Sequence, residues 1–168
     1  MRHIISLLME NEAGALSRVI GLFAQRGYNI ETLSVAPTDD ATLSRLTLTT
    51  LAGDDEVEQI TKQLNKLIEV VKLVDLTRGD HVELELMLVK VKPADADQRT
   101  KLEQKSEGPG IHVIDTTQDI YTIQVTGSSE KLDGFLRALP EDGIMEVVRS
   151  GALGVAKGEK VLALASEK

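Results

Sequence analysis

A chain of 168 residues with 42% hydrophobic content can bury a core in one medium domain or two small ones. Its formal net charge of −8 and sequence pI near 4.9 argue against sequence-independent binding to nucleic acid, and no basic stripe interleaved with aromatics offsets that. The absence of cysteine excludes disulfides and thiolate metal sites, and an aromatic share of 2% leaves the core to Leu, Ile, Val and Ala.

The first element is the apolar run from Ile4 to Met9, followed at once by Glu10, Asn11 and Glu12. It is too short to cross a bilayer, so it predicts a strand over residues 2–10 rather than a signal peptide, and the cytosol is the expected compartment. A turn at Asn11 to Gly14 leads to Leu16, Val19, Ile20 and Phe23, whose i, i+3, i+4, i+7 spacing predicts an amphipathic helix ending at Arg26 and Gly27. Residues 28–36 and 43–51 alternate around the turn Pro37 to Asp40 and predict a hairpin. Val57, Ile60, Leu64 and Leu67 mark a second helix, opened by a capping box of Asp55 with Glu58, and residues 69–77 read as a fourth strand. The order βαββαβ is the ferredoxin-like arrangement.

Arg78 to Asp80 are the expected boundary between a first domain, 1–78, and a second, 79–168. The pattern then repeats: a strand over 82–91, a polar helix over 94–106 with little apolar face, a hairpin of 111–116 with 120–126, a helix capped by Ser128, and a last strand over 144–149. Gly151, Gly154 and Gly158 suggest a short frayed tail. The fold class is α+β, two tandem antiparallel sheets each with helices on one face.

The sharpest local feature is Asn11, Glu12, Ala13, Gly14, Ala15, Leu16, where the first strand meets the first helix. Unpaired amides and partial positive charge at a helix N-terminus suit a carboxylate, and small residues let a ligand approach the backbone. Asn11 offers a donor and an acceptor to a zwitterionic head group, although a plain cap or turn is the commoner role for such a residue. Asn29 is a second polar candidate after the Gly27 turn, and Leu16, Ile30 and Val35 are candidates for an aliphatic lining or simply for core. His3, His81 and His112 have no metal-binding spacing and are expected on the surface or at strand edges; no metal is expected. Asp39 with Asp40, and Asp54 to Glu56, read as turn and cap residues. Asp142 and Gly143 are the nearest approach to the GDG of a thiamine-diphosphate motif, and no catalytic motif is present, so no catalysis is expected of this chain alone and no cofactor bound by it.

The stretch NEAGALSRVIGLFAQRGYNIETLSVAPTDD, from Asn11 to Asp40, closely resembles the small regulatory subunits of acetolactate synthase. It contains the ACT-domain pattern N-x-x-G-x-L at Asn11, Gly14 and Leu16, and the likeness resumes at Met87 to Val91, Tyr121 to Gly127 and Arg149 to Gly151. Between Pro93 and Gly110 it is poor, and Leu84 stands where the family usually has arginine. The resemblance implies an ACT domain that dimerises side by side and a C-terminal domain of the small-subunit family. It further implies a large catalytic partner carrying thiamine diphosphate, Mg and FAD, activation of that partner, and feedback inhibition by valine or another branched-chain amino acid. The effector positions it implies are Asn11, Ala13, Gly14, Ala15 and Leu16 of one chain with Asn29 and Ile30 of the other. The alternative is a free-standing ACT amino-acid sensor with a different partner.

Overall fold

The structure is a computed structural model that describes residues 1–140 and 143–164, so Asp142 of the Asp142–Gly143 pair lies outside the described residues. The chain divides into two compact units, Met1–Val82 joined by the chain from Ala152 onward, and Glu83–Gly151. Both are built on βαββαβ.

In the first unit, β1 (Arg2–Glu10), α1 (Ala15–Arg26), β2 (Thr32–Pro37), β3 (Leu43–Leu51), α2 (Asp54–Leu64) and β4 (Val70–Asp75) form an antiparallel sheet of order β2-β3-β1-β4. Period-two alternation sends Ile5, Leu7 and Met9 of β1 and Leu46 and Leu48 of β3 to one face. There they meet Val19 and Phe23 of α1 and Val57, Ile60 and Leu64 of α2. Burying each such side chain stabilises the fold by about 1.5–3 kcal/mol.

Three local features differ from the sequence expectation. Residues 28–31 are not strand, because Gly27 at φ 70° ends α1, Tyr28 N donates to Phe23 O, and the Tyr28 ring packs edge-on to Phe23. The opening of α2 is made by Glu56, whose Oε2 accepts from Gly53 N at 2.8 Å, rather than by Asp55 with Glu58. His3 is buried, not at the surface, because β1 is covered on both faces and Asp75 lies beside the ring at 3.9 Å.

The second unit contains most of β5 (His81–Val91), then α3 (Ala96–Lys105), β6 (Ile111–Thr117), β7 (Ile120–Gly127), α4 (Ser129–Arg137) and β8 (Ile144–Arg149). Strand order is β6-β7-β5-β8, and the core joins Met87, Val89 and Val91 to Ile123, Val125, Leu132 and Phe135. The weak polar helix does form: Asp95 caps it, and Leu102 is its one buried residue.

The tail corrects the expected division at residue 78. Residues 152–164 belong with the first unit and include a strand, β9 (Leu153–Ala156), where fraying was expected. The cause is the sheet face turned away from the helices. Ile4 and Leu76 there form a small core with Ala152, flanked by Val74 and Ala156. Gly154 lies so close that a Cβ on it would stand 2.7 Å from Leu76 Cδ1 and 2.8 Å from Ile4 Cδ1. Arg45 Nη2 also donates to Gly154 O at 2.8 Å. Among the described residues, no helix is long and apolar enough to cross a membrane.

Candidate functional site

The β1-to-α1 loop is exposed from Asn11 to Gly14, and the helix begins at the fully buried Ala15. Gly14 is the N-cap with φ 92° and ψ −17°, a left-handed conformation that glycine tolerates and other residues resist. No side chain caps α1 and no acid occupies its first turn. The Ala15 amide donates to Glu12 O at 3.3 Å and the Gly14 carbonyl accepts from Arg18 N at 3.1 Å, whereas the amides of Gly14, Leu16 and Ser17 have no partner among the described residues. These are the groups that a carboxylate can satisfy. Ala13 and Gly14 leave their approach clear of side chain.

Asn11 holds the loop in place. Its Nδ2 donates to Ala41 O at 2.9 Å, its Oδ1 accepts from Ser44 Oγ at 3.1 Å, and its backbone N donates to Thr42 O at 2.8 Å. The amide ties the loop to the β2–β3 turn and sets where α1 begins. The same turn is held by Asp40, whose Oδ1 accepts from Thr42 Oγ1 and N; those bonds keep its carboxyl below the usual carboxylate range. The turn reading of Asp40 therefore stands.

Asn29 is exposed, with Nδ2 donating to Glu31 Oε1 and its carbonyl accepting from Thr50 Oγ1 at 2.6 Å. Ile30 and Leu16 are half-buried against the first core. Thr50 pairs with His3 and Leu43 with Glu10, so Asn29 and Asn11 lie at opposite ends of the sheet. The length of β1 separates them, roughly 25 Å at ~3.3 Å per residue. One chain alone does not bring the two asparagines together. Ala13, Gly14, Ala15 and Leu16 do cluster with Asn11.

Arg18 pairs with the buried carboxylate of Glu69. Sequence reasoning missed a buried ionic centre in the second unit. Glu85, with its side chain 1% exposed, accepts from Arg149 Nε at 2.9 Å and Nη2 at 2.6 Å, and from Ser129 Oγ at 3.0 Å. Arg149 Nη1 also donates to Asp133 at 2.6 Å. Burial works to raise the Glu85 pKa, but the bonds from Arg149 and Ser129 prevail and hold it below the usual range. Those carboxylates in turn push the Arg149 pKa upward. A glutamate placed in the alternating run VELELMLVKV was the available signal, being an acid at a strand position followed by core residues.

Comparison with known proteins decides the lineage. Residues 5–72 match the family described as the AHAS small subunit-like ACT domain, and residues 84–158 match the small subunit of acetolactate synthase. The acetolactate synthase isozyme 3 small subunit of Salmonella typhimurium is 51% identical over 163 residues, covering 96% of this chain and 99% of the relative. This chain belongs to the acetolactate synthase small-subunit family. The acetolactate synthase small subunit of Haemophilus influenzae is 47% identical over 95% of this chain and 98% of its own length. Among solved structures, the acetolactate synthase small subunit of Thermotoga maritima superposes with a TM-score of 0.86 at 31% identity, covering 95% of this chain and 99% of that one. Agreement over nearly the whole of each small subunit extends to both units, and the ACT match encloses the Asn11 to Leu16 loop.

Proposed function

We propose that this small subunit regulates the large catalytic subunit of acetolactate synthase in branched-chain amino-acid biosynthesis, activating it and conferring inhibition by valine. The catalytic partner carries thiamine diphosphate, Mg and FAD in this reading, and this chain supplies the effector site. The observation that carries it is the uncapped N-terminus of α1 behind Gly14, inside the segment that matches the family's ACT domain.

The valine carboxylate is received by the free amides of Gly14, Leu16 and Ser17, while Asn11 fixes the loop through Ala41 and Ser44. A second copy completes the site. β2 is an edge strand, and a two-fold axis across two such edges sets the start of one strand beside the end of the other. Asn29 and Ile30, just ahead of β2, then approach the partner's loop, which lies at the far end of that strand. The branched side chain enters between the half-buried Leu16 and Ile30. One methylene changes affinity by only about 1–3 kcal/mol, so leucine and isoleucine compete with valine.

Feedback requires valine to favour one state of the complex, with coupling of about 1–3 kcal/mol. A site shared by two chains provides that difference, because closing the pair creates it. The test is reconstitution with the catalytic subunit, measuring acetolactate formation with and without valine. Gly14→Asp places a carboxylate where the ligand's own must sit, so activation is expected to persist and valine inhibition to vanish. Normal valine inhibition of that variant overturns the assignment.

A further inference from the structure

The sheet of the first unit has a second recess, on the face away from α1 and α2. Residues of β3, β4, the turn after it and the returning tail line a partly open cleft of about 160 Å³ there. Arg45, Lys72 and Lys160 line it together with aliphatic side chains such as Val74, Leu76 and Val155, and no acid is among them. Arg45 is half-buried, yet no carboxylate of the described residues stands at ion-pair distance from it. Its Nε donates to Ser6 Oγ at 3.0 Å and its Nη2 to Gly154 O at 2.8 Å. A guanidinium has five donors, so three remain. Burial pushes the Arg45 pKa down, as expected of a cation removed from water with no opposite charge nearby. Lys72 Nζ donates to Ala163 O at 2.9 Å and keeps further donors in hand.

We propose that this cleft is a second ligand site, distinct from the Gly14 loop, which takes a small aliphatic monocarboxylate lacking an ammonium group. The carboxylate meets Arg45 and the two lysines, and the hydrocarbon lies against Val74, Leu76 and Val155. The volume fits the class in size, since about 150 Å³ is room for a molecule of some six heavy atoms. The charge set selects within it. An amino acid would bring its ammonium among three cations with no acid to receive it, at a cost in desolvation and repulsion, whereas the Gly14 loop carries the exposed Glu12. The site reads the acid and rejects the amine.

The experiment uses the full chain and two probes that differ only in the amine, 3-methylbutanoate and valine, followed by amide chemical shifts. 3-Methylbutanoate is expected to move the amides of Gly154, Val155 and Ala156, and valine to leave them in place. Arg45→Gln is expected to weaken 3-methylbutanoate by about tenfold, the scale of a lost charged hydrogen bond. Lys160→Gln changes only an exposed tail residue, keeps the fold, and is expected to weaken it by roughly two- to fivefold. No shift with 3-methylbutanoate, equal shifts with valine, or undiminished affinity in both variants overturns the proposal. Inorganic phosphate is the third probe: binding as tight as that of 3-methylbutanoate overturns the aliphatic assignment.

Discussion

The two units repeat one topology and treat the N-terminus of the first crossover helix in opposite ways. In the first unit, α1 starts at a left-handed glycine with no cap and no acid in its first turn. In the second, Asp95 Oδ1 accepts from Gln98 N at 2.8 Å and Asp97 sits in the first turn of α3. One helix keeps its amides and positive end open to an incoming anion, and the other satisfies them internally. The common fold therefore does not make a site. The loop proposed here to receive a carboxylate is set apart by the cap and the acid that its own sequence withholds.

The units also hold their internal charge differently, and that contrast carries the largest expected effect. Arg149→Leu strands Glu85, a nearly fully buried carboxylate, and is expected to destabilise the second unit by about 3–5 kcal/mol. Arg18→Leu in the first unit likewise leaves a buried carboxylate, Glu69, without its cation, but that arginine is 59% exposed and makes a single ion pair, so the loss is expected to be smaller, about 1–3 kcal/mol. Hydrogen exchange at Met87 and Ile123 against Leu7 and Leu46 separates the two, and equal losses would break the contrast. The pH dependence has a definite sign. The folded Glu85 pKa is depressed, so its contribution is present above the unfolded value near 4.5 and lost as pH falls through the folded value. Denaturation at pH 6 and pH 3 should show that loss in the parent chain and not in Arg149→Leu.

Smaller effects test the helix termini. Gly14→Ala meets no obstructing atom within 4 Å, so its cost is the left-handed backbone alone, about 1–2 kcal/mol. Valine inhibition should survive in it and fail in Gly14→Asp, which isolates charge from strain. Asp95→Ala should cost about 1 kcal/mol by thermal unfolding and leave the valine response unchanged. A changed response there would erase the distinction between the two helices.

Most strands and helices were legible because their periodicity was strong. Leu16, Val19, Ile20 and Phe23 give a helix by spacing, and residues 43–51 give a strand by alternation. Residues 28–31 misled because Ile30 continues the alternation, while the Gly27 turn and the Tyr28–Phe23 contact govern the backbone. The loop from Asn11 to Leu16 was visible as a place, yet the task of Asn11 was not, since its partners Ala41 and Ser44 lie about thirty residues on and only folding supplies them. The role of the tail is hidden for the same reason. Its glycines look like fraying, whereas Gly154 is small because Ile4 and Leu76 press against it.

The return of residues 152–164 to the first unit makes the second unit an insert within the first, entered after Val82 and left before Ala152. Cutting the gene after Arg78 would keep the segment that matches the ACT domain but strip Ala152 from Ile4 and Leu76 and open a greasy face to aggregation. Separating the labour of the two halves calls for excision rather than truncation, with residues 83–151 replaced by a short flexible bridge and the tail retained.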